Sequence, residues 1–90
     1  MIIVSQDKDL IVNFNNVTAI GIAQNNAKEI DTITTDGEEQ YLGAYKTEER
    51  AKEVLQEIIK RINGKGEIMH NINEIKIETE ASSVYEMPEV

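Results

Sequence analysis

The sequence contains no cysteine and no tryptophan, and only one histidine, one proline and one phenylalanine. Without cysteine the chain has no disulfide, no thiolate nucleophile and no thiolate metal ligand, so nothing points to an oxidising compartment. A metal bound at the lone histidine, His70, would need carboxylates for all its other ligands, so we predict neither a metal nor a cofactor. The sequence also lacks an apolar run long enough for a bilayer and lacks a signal peptide, so we expect a cytoplasmic protein with no membrane partner.

Aliphatic residues dominate the apolar part of the composition. Hydrophobic residues make up 40% of the 90 residues, but aromatic residues make up only 4%. The core must therefore be built from isoleucine, valine and leucine. A chain of this length forms one domain with modest apolar burial, and we expect a homo-oligomer.

Charge is strongly negative and unevenly distributed. The formal net charge is -8, which disfavours direct contact with nucleic acid phosphates or anionic lipids because both partners require cations. The segment Lys46–Arg61 differs from the rest, since its five cations slightly outnumber its four acids. An anionic ligand would meet the least repulsion there.

The first 45 residues are predicted to form a β-meander, because short apolar or alternating runs are separated by turn residues. Asp36-Gly37 is the strongest hairpin signal in this region. The predicted strands are Met1–Val4, Leu10–Phe14, Val17–Ala23, Glu29–Thr35 and Glu38–Tyr45.

Residues 46–63 are predicted to form one amphipathic helix, capped at Thr47 and ended by Asn63-Gly64. Its apolar stripe comprises Ala51, Val54, Leu55, Ile58, Ile59 and Ile62. Residues 64–90 are expected to form a weak strand and a tail, with strand candidates at Glu67–Ile72 and Glu74–Glu80 and a docked or frayed segment at Val84–Pro88. The predicted fold class is α+β: an antiparallel sheet of about five strands packed by one amphipathic helix in the C-terminal half, with a short additional strand or tail.

No catalytic constellation is present, and we expect no enzyme. The acid pairs Asp7 with Asp9 and Glu38 with Glu39 lie in predicted turns, where nothing would desolvate a carboxylate and shift its pKa.

Two arginines border the apolar stripe of the helix. One interpretation makes Arg50 and Arg61 ordinary surface residues, with Arg61 paired to a glutamate one turn away. The other makes them a pocket for a phosphorylated or planar ligand, with guanidinium groups beside aromatic rings. The ligand-binding candidates are Arg50, Arg61, Tyr41, Tyr45 and Tyr85.

Three segments carry a family resemblance: Tyr41–Ile58, Ile2–Asp7 and Val84–Pro88. They look like small proteins encoded by phages and prophages of Gram-positive bacteria. Proteins with this resemblance include the Thoeris anti-defence sponges, which sequester the cyclic ADP-ribose signal of a TIR immune system. The resemblance implies a bacterial host cytoplasm, ligand binding without turnover, and a ligand contact at Arg50.

Three functions remain open at this point. The first is an anti-defence protein that sequesters a cyclic nucleotide or cyclic ADP-ribose signal between subunits, which fits the lack of catalytic residues. The second is an acidic protein-protein inhibitor that mimics nucleic acid and occupies a basic nucleic-acid channel on a host defence enzyme, which the net charge favours. The third is a structural or regulatory phage component.

Overall fold

The computed structural model describes residues 1–71 and 84–90, which contain six strands, one 3-10 turn and one helix. The α+β class and the packing of one helix on β-strands are confirmed. In chain order the strands are β1 Ile2–Val4, β2 Ile11–Asn13, β3 Val17–Ala23, β4 Asn26–Thr34, β5 Glu39–Ala44 and β6 Val84–Glu86. The helix α1 spans Glu48–Asn71 between β5 and β6.

The six described strands are close to the predicted number of about five, but they form two three-stranded sheets, so the prediction of a single sheet was wrong. In the first sheet, β1 lies between antiparallel β2 and parallel β6. In the second sheet, β3, β4 and β5 form an antiparallel meander. The division occurs at the 3-10 turn Phe14–Asn16, where the side chain of Asn13 accepts a hydrogen bond from the backbone N–H of Asn15 at 3.0 Å. This turn redirects the chain before β3 can pair with β2.

Two local predictions are confirmed by their hydrogen bonds. At the β4–β5 turn, Gly37 donates its N–H to the Thr34 carbonyl at 2.9 Å. Gly37 has a φ of +87°, a conformation that glycine adopts without a steric penalty. At the start of α1, the Thr47 hydroxyl accepts the N–H of Arg50 at 3.1 Å, as expected for an N-cap.

The helix is longer than predicted. It continues through Gly64 and Gly66 to Asn71, whereas the sequence indicated an end at Asn63. A glycine inside a helix costs only about 1 kcal/mol relative to alanine, so it weakens a helix without necessarily ending it. No helix within residues 1–71 and 84–90 is both long and apolar enough to cross a membrane.

The longer helix changes the interpretation of the residues that follow. Because residues as far as Asn71 are helical, the strand proposed at Glu67–Ile72 was wrong, and His70 lies in a helix and not in a loop. The strand proposed at Glu74–Glu80 lies outside the described residues. Of the two alternatives for the last segment, the structure shows the docked one, since Val84–Glu86 pairs with β1.

The core lies between the helix and both sheets. Ala51, Val54 and Ile58 of the helical stripe are completely buried, but Ile59 is 38% exposed and belongs to the surface. Contacts of α1 with the second sheet concentrate on its central strand, β4. The buried apolar side chains are Met1, Ile3, Val12, Ile30, Leu42, Tyr45, Ala51, Val54, Ile58, Tyr85 and Met87.

Gln6 connects the two sheets. Its backbone N–H donates to the Leu42 carbonyl at 2.7 Å, and its Oε1 accepts the N–H of Ala44 at 2.9 Å. Its Nε2 donates to the Glu89 carbonyl at 2.9 Å. Between the two bonds to β5 the side chain crosses Gly43, which has no side chain to obstruct it. One glutamine therefore joins β1, β5 and the segment after β6.

Two glycines provide a matched test of this junction. A Cβ at Gly43 would lie 2.9 Å from the Gln6 Cβ, whereas a Cβ at Gly21 would meet nothing within 4 Å. We expect Gly43→Ala to lower the free energy of unfolding by about 1 to 3 kcal/mol through overpacking. Gly21→Ala should be neutral or raise it by up to about 1 kcal/mol, because alanine restricts the unfolded chain. Urea unfolding would measure both values, and equal effects at the two positions would contradict the described junction.

Candidate functional site

Arg50, Glu57 and Arg61 form one edge of the helix, called here the arginine edge. The two arginines are separated by roughly three helical turns, or about 16 Å along the axis, and so project from the same side. The Arg50 guanidinium carbon lies 5.9 Å from the centroid of the Tyr45 ring, and that of Arg61 lies 5.4 Å from the Tyr85 ring. Each arginine thus has a cation–π contact with its own tyrosine.

Arg50 is occupied by contacts within the fold. Its Nε and Nη2 donate to the Val90 carbonyl at 3.2 and 3.1 Å. Its Nη1 lies 3.1 Å from a Glu53 oxygen and 3.8 Å from a Glu57 oxygen. Since the Tyr45 hydroxyl donates to the Pro88 carbonyl at 2.9 Å, Arg50 and Tyr45 together hold the segment 87–90 against the helix.

Tyr85 and Glu57 form a second fixed pair. The Tyr85 hydroxyl donates to the Glu57 Oε1 at 2.7 Å, and burial of the ring together with this carboxylate raises the pKa of Tyr85. Burial also raises the pKa of Tyr45 to about 12, although the Arg50 charge opposes the shift. Both phenols therefore remain protonated near neutral pH and serve as hydrogen-bond donors, not as general bases.

Arg61 makes fewer hydrogen bonds to the described residues than Arg50 does. Its Nη1 donates to the neutral Val84 carbonyl at 3.2 Å, which is its one hydrogen bond among the described residues. A shallow depression of about 360 Å³ lies next to it, lined by Glu57, Lys60, Arg61 and Tyr85. Two cations and one acid border this depression. Sequence reasoning missed Lys60, although its position beside Arg61 could have indicated it.

The structure places Tyr41 apart from the arginine edge. Tyr41 is 44% exposed and pairs in register with Asp31 on the neighbouring strand. Partial burial, followed by the charges of surrounding acids, raises its pKa; those acids are Asp7, Glu29, Asp31 and Asp9. Of the five candidates from the sequence, the structure therefore brings together Arg50, Arg61, Tyr45 and Tyr85.

Tyr41 belongs to a second surface, the outer face of the β3–β5 sheet. Two rows of residues cross the three strands in register on this face. A trough of about 280 Å³ runs beside β3. The rows are Gly21, Asp31 and Tyr41, and Ala19, Ile33 and Glu39.

Asp31 has the largest pKa shift among the described groups on the outer face. Its Oδ1 is closed to solvent and has no hydrogen-bond partner. Burial raises the pKa of Asp31 to about 6, and the nearby carboxylate of Glu29 adds to the effect. Sequence reasoning missed Asp31. In β4, Ile30 is buried, while Ile33 projects outward beside Asp31.

No family model, characterised protein or solved structure matches this chain. The candidate sites therefore rest on their own geometry. Within residues 1–71 and 84–90, no three histidine, aspartate or glutamate side chains are grouped in a way that would hold a metal ion.

The raised pKa of Asp31 has a consequence for stability. Its pKa is about 6 in the folded protein against an ordinary 3.8, so the folded state holds the proton more tightly and the Asp31 contribution to stability falls as pH rises between these values. We expect Asp31→Asn to stabilise the protein by on the order of 1 kcal/mol near neutral pH, after allowance for solvent screening, and the gain to vanish below about pH 4.

Urea unfolding across this pH range would measure the gain. Asp36→Asn is the matched control, because it removes the same charge from an exposed turn and leaves a sequence suited to the hairpin. A gain for Asp31→Asn that does not change with pH would contradict the burial described for this carboxyl group.

Proposed function

We propose that this protein is a binding protein that sequesters a phosphorylated, planar ligand of the cyclic nucleotide or cyclic ADP-ribose class without turnover. The observation that carries the proposal is the depression beside Tyr85, where Arg61 and Lys60 border one space. Arg61 already packs over the Tyr85 ring, and its hydrogen bond goes to a neutral carbonyl and not to a carboxylate. Its positive charge is therefore available to an anion.

Each lining group has a chemical role in this proposal. The guanidinium of Arg61 suits a phosphate because its planar set of N–H donors binds two oxygens at once, and Lys60 adds a second positive charge. The Tyr85 ring is buried beneath Arg61 and supports its guanidinium, and the Tyr85 hydroxyl is fixed by Glu57 at 2.7 Å. A planar base would stack on the guanidinium itself. Glu57 is also an acceptor for ligand N–H or hydroxyl groups. None of these groups is an activated nucleophile.

The biological setting follows from the resemblance to small phage and prophage proteins. In that setting, sequestration of an immune signal inside the bacterial host cytoplasm would make the protein an anti-defence sponge. We further propose a homo-oligomer, because the depression is shallow and a second copy would close it over the ligand. A closed site excludes water and strengthens the contacts between the arginine and the phosphate.

A second function is an acidic protein inhibitor that occupies a basic nucleic-acid channel on a host defence protein. The outer face of the β3–β5 sheet favours it, since Asp31 and Glu39 project from that face and the net charge of the chain is -8. Such an inhibitor would bind faster at low salt, because its negative field attracts the basic channel.

The first proposal is tested with cyclic mononucleotides, cyclic dinucleotides and cyclic ADP-ribose isomers, using thermal shift and calorimetry. We expect one class to stabilise the protein and to be recovered chemically unchanged after heat release. Arg61→Ala should weaken its binding about tenfold to a hundredfold, the usual value of a charge-assisted bidentate contact.

Lys52→Ala is the matched control, because Lys52 is an exposed cation on the same helix that does not line the depression. Arg50→Ala is unsuitable as the primary variant, since it also releases the Val90 carbonyl. Absence of binding by every member of the panel, or equal binding by the Arg61 and Lys52 variants, would rule out the proposed site.

A further inference from the structure

We infer that the outer face of the β3–β5 sheet is a docking surface for an extended cationic segment of another protein. The helix packs on the opposite side of this sheet, where Ile30, Thr32 and Leu42 are completely buried. The outer face instead presents partly exposed side chains, and no described element lies over it. This inference concerns a different surface from the Arg61 depression and does not depend on ligand binding there.

The shape of the face suits a narrow occupant. A Cβ at Gly21 would meet no atom within 4 Å, so the floor of the trough is open at this position. Across the sheet, Ile33 is 38% exposed and Tyr41 is 44% exposed. These two side chains offer apolar contact beside the trough, in adjacent rows of the sheet.

The charge of the face selects a cationic occupant. Asp31 and Glu39 lie in the two rows, Glu29 lies beside Asp31, and the charges of Asp7 and Asp9 also reach Tyr41. A second copy docked through the same face would place acids against acids, so self-association here is unfavourable. An arginine or lysine would neutralise the charge of this group of carboxylates.

The spacing of the rows indicates the form of the occupant. Asp31 and Ile33 are two residues apart on β4, which corresponds to about 6.8 Å along a strand. Alternate side chains of an extended peptide repeat at the same distance. A segment with arginine or lysine at alternate positions would therefore place successive cations over Asp31 and towards Glu39. The methylene groups of those side chains would cover Ile33 and Tyr41.

The test uses a short synthetic peptide with arginine at alternate positions separated by valine and threonine, titrated into the full chain at low salt. We expect NMR shifts confined to the two rows of the outer face. We also expect the pKa of Asp31 to fall towards its ordinary value on saturation, and binding to weaken as salt is added. The same peptide with glutamate in place of arginine should not bind.

Three variants and one control make the test specific. Asp31→Asn and Glu39→Gln should each weaken binding about fivefold, the upper value for a largely solvated ion pair. Gly21→Val fills the trough without removing charge, so weaker binding by this variant would support docking in the trough. Glu49→Gln removes an acid from the exposed surface of the helix and should leave binding unchanged.

The spectrum of each free variant verifies that it is folded. An affinity unchanged by Asp31→Asn, Glu39→Gln and Gly21→Val, or shifts that map outside the two rows, would overturn the inference. Absence of any binding by the arginine peptide at low salt would also overturn it.

Discussion

The hydrogen bonds of Gln6 are the contacts on which the arrangement of the two sheets depends. One residue binds the Leu42 carbonyl and the Ala44 N–H of the second sheet and the Glu89 carbonyl of the last segment. Each sheet has only three strands, and a small sheet needs packing to be stable. The helix packs on the second sheet, chiefly on β4, and the Gln6 bonds fix how the two sheets meet. The absence of a side chain at Gly43 makes this close approach possible.

The last described segment links this junction to the arginine edge. It pairs with β1 through β6, buries Tyr85 and Met87, and receives hydrogen bonds from Gln6 and Arg50. Arg50 therefore has a structural role that neither interpretation of the sequence included. Arg61 lies where this segment begins, and a depression lies beside it. This difference makes Arg61 the better candidate for ligand binding.

Predictions from the sequence succeeded where the determining contacts are local. The Thr47 cap and the Gly37 turn each depend on residues within four positions of one another, and both were found. The division into two sheets was missed because it depends on contacts such as that between Gln6 and Ala44, which are 38 positions apart. Arg50 was placed correctly on an edge of the helix, but its Val90 partner lies 40 positions away. A helical periodicity identifies the side of a helix on which a residue lies and says nothing of the segment that covers it.

Native-state amide hydrogen exchange in Gln6→Met tests the central role of Gln6 most directly. Methionine keeps the length of the side chain and removes its hydrogen-bonding groups. We expect faster exchange at Ala44, whose N–H loses its acceptor, and also at Met87, whose N–H is bonded to the Val4 carbonyl at 2.9 Å in the segment that Gln6 anchors. Unchanged protection at both amides, or faster exchange at Ala44 alone, would contradict a junction that couples the second sheet to the last segment.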